Sequence, residues 1–94
     1  MIWITAIQFD DSGHERHENI QAVRWRDADA RQQGQYAVAE VVDLIRAQTL
    51  VYVSDEAFER TALVRVVDAK PPYIRAWAHG KWASDLLALP RFDA

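Results

Sequence analysis

The run His14-Glu15-Arg16-His17-Glu18 is the densest cluster of side chains able to bind a metal or move a proton. Zinc takes imidazole nitrogens and carboxylate oxygens, usually four ligands in a structural site, so the residue types are suitable. The spacing is less so, because positions i and i+3 of an extended strand face opposite sides. Convergence of His14 and His17 would need a loop or a bulge, and two further ligands would have to come from elsewhere. The same residues read as a solvated connection after a turn, with His17 hydrogen-bonded to backbone, and no metal or other cofactor is expected. Ser12 lies near His14, but a catalytic serine needs a base that a third group orients. The chain has no cysteine and only three scattered glycines, so it carries neither a nucleophile elbow nor a phosphate-cradling loop. Catalysis is not the expected function, and an enzyme assembled from distant residues stands as the third reading.

A second constellation is basic and aromatic. On an extended chain Arg24 and Arg26 fall on one side while Val23 and Trp25 fall on the other, and Tyr73, Arg75 and Trp77 share one face of another strand. Aromatic planes beside guanidinium groups are what single-stranded nucleic-acid binders use to stack bases and neutralise phosphates. Arg and Trp are equally favoured in protein interface hot spots. A third possibility places Trp77 in the core with the arginine stems extended over it into water. The candidate binding surface is therefore Arg24, Arg26, Tyr73, Arg75 and Trp77. A net charge of −3 weighs against a protein that mainly grips phosphate. The first functional reading is a non-catalytic module that binds a protein partner or a second copy of itself, and the alternative is a nucleic-acid binder.

The elements that would carry these residues follow from periodicity. Residues 2–9, IWITAIQF, are β-branched and aromatic and run into the turn residues DDSG, predicting a strand and its turn. NIQAVRWR predicts a second, antiparallel strand, and DADARQQG reads as a loop. From Ala37 to about Ala47 the period changes: Val38, Val41, Val42 and Ile45 fall at i, i+3, i+4 and i+7, the signature of one amphipathic helix. TLVYV, ALVRVV and YIRAWA are three further strands, with a short run possible at GKWAS; SDEAFER and DAKPP separate them. The expectation is an α+β fold in the order β-β-α-β-β-β: one mainly antiparallel sheet with one helix packed on it, or a more strongly curled, barrel-like version.

At 94 residues, half of them apolar, the chain should form a single domain over residues 1–94 with one core. Absence of cysteine suits a reducing compartment. No window approaches the roughly 20 apolar residues of a membrane span, and MIWITAIQF lacks a basic leader, so a cytoplasmic protein without membrane contact is expected. The ending LLALPRF is too apolar for a free tail. Leu86, Leu87, Leu89 and Phe92 are expected to strap an open edge or end of the sheet, with Trp82 anchoring the start and Pro90 preventing a long helix.

HENIQAVRW, EVVDLI and PPYIRAWAHGKWASDLLALPRF together resemble a family of small bacterial proteins catalogued only as a domain of unknown function. Its members show a His-x-x-Ile-x-x-Val-x-Trp segment, a helix with Met-Val-Asp-x-Ile, and an ending similar to Trp-x-x-x-Leu-Leu-x-Leu-Pro. The resemblance covers nearly the whole chain and implies no activity. His79 stands where the family pattern favours Asp, and GQYAV offers no hydroxyl to cap the helix.

Overall fold

A computed structural model describes residues 1–27, 29–55 and 60–92, and the side chains of all but residues 54, 55, 60 and 61 among them. Strand β1 (Ile2–Phe9) turns through Asp10–Gly13, passes a single 3-10 turn at His17–Asn19 and returns antiparallel as β2 (Ile20–Asp27). The turn is chemically determined. Asp10 accepts hydrogen bonds from the Ser12 backbone and hydroxyl and from Asn19 Nδ2, while Gly13 takes the left-handed conformation at φ +81° that glycine adopts at no steric cost.

The segment read as a loop is partly strand. Gln32–Ala37 forms β3, paired antiparallel with β2, so the observed order is β-β-β-α-β-β-β-β. Its sequence QQGQYA has no run of β-branched residues; what fixes it is the partner strand. Gly34 lies opposite Trp25, where a Cβ would sit 3.2 Å from the indole, and Tyr36 stacks on the same ring at 4.9 Å.

Helix α1 (Val38–Arg46) follows at once, without a capping side chain. Val38, Val41 and Val42 are buried and Ile45 packs beside them, as the 3.6-residue period requires. Strands β4 (Val51–Asp55), β5 (Arg60–Val67), β6 (Tyr73–Ala78) and β7 (Lys81–Ala83) complete one seven-stranded sheet in the order β3-β2-β1-β4-β5-β6-β7. Every ladder is antiparallel except β1 with β4, because three elements intervene between those two strands. The fold is α+β, with the helix lying against β2, β3, β5 and β6. The 3-10 turn at His17–Asn19 also packs against β6, so the sheet coils strongly, as in the curled alternative. Among the described residues no helix is long and apolar enough to cross a membrane.

A β-bulge decides which residues reach the core. In a regular strand Ile2, Ile4, Ala6 and Gln8 would share a face. Here the register jumps between Ile4, opposite Trp25, and Ala6, opposite Arg24, leaving Thr5 as the extra residue. The alternation inverts after it. Ile4 and Ile7, three apart, therefore both point into the main core with Val23, Val53, Val64, Ile74 and the helix, whereas Ala6 joins Ala22 and Phe92 on the opposite face.

The chain's last described residues close the sheet. Leu86, within a 3-10 turn at Asp85–Ala88, and Leu89 just after it enter the main core. Strand β4 pairs with β1 only as far as Ile4, and the strap takes its place beyond: the Ile7 N–H donates to Pro90 O and Phe92 N–H donates to Ile7 O, both at 3.0 Å. Of the four apolar residues of the ending, Leu86, Leu89 and Phe92 are thus buried, and Leu87 is partly buried against the main core. Trp82, expected to anchor the strap, instead stays 38% exposed on β7, edge-on to Trp77.

Candidate functional site

The two faces of the sheet differ in chemistry. The inner face carries the core; the outer face, on which no helix packs, carries the polar and aromatic candidates. Cross-strand partners share a face, so the register alone defines a row across six strands. Arg26 on β2 pairs with Trp3 on β1, Trp3 with Tyr52 on β4, Tyr52 with Leu63 on β5, Leu63 with Trp77 on β6, and Trp77 with Trp82 on β7. The Trp3 and Tyr52 rings lie 5.3 Å apart, and Trp77 and Trp82 lie 5.0 Å apart at right angles. A second row flanks it: Arg24 opposite Ala6, and Arg65 opposite Arg75.

The arginines rest on aromatic rings. Arg65 Cζ sits 4.8 Å from the Trp77 centroid, Arg75 Cζ 5.7 Å from Trp82, and Arg24 Cζ 4.4 Å from Phe92 of the strap. Four of the nine arginines in the sequence occupy outward strand positions, and among the described residues those positions hold no Asp or Glu. On a chain of net charge −3 that is a pronounced segregation. At the β1–β3 end, where the Thr5 bulge distorts the surface, an open concavity of about 470 Å³ is lined by Thr5, Arg24, Gln33 and Gln35 with Trp25 and Gly34.

Four of the five residues proposed from sequence therefore meet on one face. Arg24 and Arg26 stand on β2, Arg75 and Trp77 on β6, and Trp3, Tyr52 and Leu63 bridge the strands between them. Tyr73 has the parity of Arg75 but begins β6, where it lines a separate cleft of about 290 Å³ with Pro71, Pro72 and the helix. Trp3, Tyr52, Leu63 and Arg65 carry no sequence signal of their own because each lies in an ordinary strand; their period-two positions are legible, but not which strands are neighbours.

The histidine cluster separates. His14 is exposed, and its backbone N–H, rather than its ring, donates to Ser12 Oγ; the Ser12 hydroxyl donates in turn to Asp10. His17 is only 8% exposed, and its Nε2 is buried without a hydrogen-bond partner, contrary to the expected backbone bond. Among the described residues no group of three His, Cys, Asp or Glu side chains gathers where it could hold a metal.

Burial, and next the positive charge of Arg75, push the His17 pKa below its ordinary value of 6.5, with Glu18 opposing. An unfolded chain then takes up a proton near pH 6.5 that the folded ring refuses, so the unfolded state binds more protons and stability falls as pH drops below that value. Asp10, whose pKa is lowered by its hydrogen bonds from Ser12 and Asn19, acts only in a more acidic window below 3.8. The expected result is a thermal midpoint that falls between neutral and mildly acidic pH, with a smaller fall in His17→Gln; parallel pH profiles for the two proteins would refute the assignment to His17.

With this geometry in place, residues 3–90 match a family described as "Protein of unknown function (DUF3892)". The chain belongs to this family. No curated protein and no solved structure matches it. The match spans both strands of the β1–β2 hairpin, the helix and the strap as far as Pro90, so the family is defined over the same elements that build the outward row.

Proposed function

We propose that this chain is a binding module without catalysis, and that the outward face of its sheet is the recognition surface. The observation that carries the reading is the coincidence, on one face, of an aromatic row with four arginines and no described carboxylate. Contiguous apolar surface rimmed by charge marks interaction sites, and Arg and Trp are the residues that dominate their energetics. Relative magnitudes favour a ligand too. A guanidinium resting on an exposed ring gains only about 0.5–1 kcal/mol, whereas a flat π-system stacked on an aromatic side chain gains roughly 1–3 kcal/mol. The exposed Arg24, Arg26 and Arg65 are thus free to meet negative charge, whereas Arg75, whose Nε is buried, is held in place.

The experiment immobilises the protein and passes over it the protein and nucleic-acid fractions of a cell extract. Three proteins are compared: the natural chain, Arg24→Glu/Arg26→Glu/Arg65→Glu, and Arg46→Glu on the helix as a charge-reversed control. Retention by the natural chain and the control, lost in the triple variant, is expected. Equal retention by all three, with the triple variant folded by circular dichroism, would remove the outward face from the function.

A further inference from the structure

We infer that the ligand of the outward face is single-stranded nucleic acid, lying across the strands along the row from Arg26 to Trp82; the inference rests on the reading of that face as the recognition surface. The charge pattern is complementary to a polyanion. Arg26 begins the row and Arg24, Arg65 and Arg75 flank it, and no described outward strand position carries a carboxylate that would repel phosphates. The dimensions agree. Five steps between neighbouring strands at about 4.8 Å make a track of about 24 Å, long enough for a short single strand on the scale of the smallest known site sizes, about four nucleotides.

The aromatic row separates a single strand from other anions. Unpaired bases present π-faces that stack on Trp and Tyr whatever their sequence, while a duplex keeps those faces inside its own stack. Trp82 is the most exposed of the row's tryptophans, and Trp3 and Tyr52 are partly exposed, so the rings are within reach of a ligand. At the Arg26 end the concavity of about 470 Å³ adds the Gln33 and Gln35 amides and the Arg24 guanidinium, which together offer the donors and acceptors that a splayed base edge requires. An acidic protein segment would use the arginines and leave the rings and amides without a role.

The test is fluorescence anisotropy over a salt series, with a labelled short mixed-sequence single strand, the same sequence as a duplex, and a glutamate-rich peptide. Single-strand binding is expected, with log K falling linearly in log salt at a slope of about −2.8 if four phosphates are neutralised at about −0.7 each. Arg26→Gln should reduce the slope by about 0.7. Trp82→Leu, at the sheet's edge, should weaken binding about tenfold with the slope unchanged, as loss of stacking predicts. Both variants are checked for native circular dichroism. Equal affinity for duplex and single strand would overturn the inference. Peptide binding that depends on Arg26, without oligonucleotide binding, would overturn it and leave the outward face as the recognition surface. No binding of any probe, together with equal retention of natural and triple-variant protein in the extract experiment, would overturn both.

Discussion

Val42→Asp should abolish cooperative folding at room temperature. Val42 is 2% exposed and shares the buried face of the helix with Val38 and Val41. The buried residues of that core are aliphatic, and Arg46, one turn along and lining the same cleft as Val42, offsets at most part of the cost of an ionised carboxylate there. An uncompensated buried charge costs several kcal/mol even after relaxation, and the lost packing of the valine adds to it. Total stability for a domain of this kind is about 5–15 kcal/mol. At about 4–8 °C per kcal/mol, even partial survival would lower the thermal midpoint by tens of degrees. The neighbouring exposed carboxylate gives the control: Asp43→Asn, one residue along the helix, should shift the midpoint little. Circular dichroism melts of both variants decide it, and a Val42→Asp protein with an unchanged midpoint would refute the placement of the helix on the sheet.

The contrast between helix and sheet shows where sequence reasoning succeeds. Val38, Val41, Val42 and Ile45 announce their face by local spacing, and the helix was legible to within a residue at each end. Strand β3 was not legible, since its six residues QQGQYA are held by Trp25 across the ladder and no local pattern records that. The Thr5 bulge is equally invisible: IWITAIQF alternates plausibly in either register, and only pairing with β2 selects Ile7 over Ala6 for the core. The outward face combines both cases. That Arg24 shares a side with Arg26, and Arg75 with Trp77, follows from period two; that Trp3, Tyr52 and Leu63 join these pairs into one row depends on the strand order, in which β1 neighbours β4 by a parallel ladder. Short connections predict a mainly antiparallel sheet, which it is, but do not say which pair is the exception. β4 takes the free edge of β1 because the hairpin partner β2 occupies the other, and the pair is parallel because β2, β3 and the helix intervene.

Removing residues 86–94 should yield a protein that is destabilised at every concentration, and this is the second large effect the structure implies. Leu86, Leu89 and Phe92 are 0%, 6% and 7% exposed. Full burial of such side chains contributes roughly 1.5–3 kcal/mol each, an upper bound because unfolded chains already hide part of that surface. Deletion also uncovers Ile7, whose N–H and C=O both pair with the strap where β4 has left β1. The cut therefore removes apolar packing and reopens a sheet edge in the middle of the molecule. A loss approaching the whole stability is expected, read as a denaturant midpoint close to zero or as no cooperative transition. Leu86→Ala isolates the packing contribution and should cost about 2–5 kcal/mol while leaving the strap's hydrogen bonds in place. A folded truncated protein that has merely lost self-association would show instead that these side chains serve a contact between copies, and unchanged stability and association would show a detachable tail. The strap reaches the outward face as well, since Phe92 lies under Arg24 with Ala6 and Ala22 around it. Phe92→Ala should accordingly free the Arg24 guanidinium from its ring and, unlike Leu86→Ala, alter ligand binding at the β1–β3 end by more than its effect on stability accounts for.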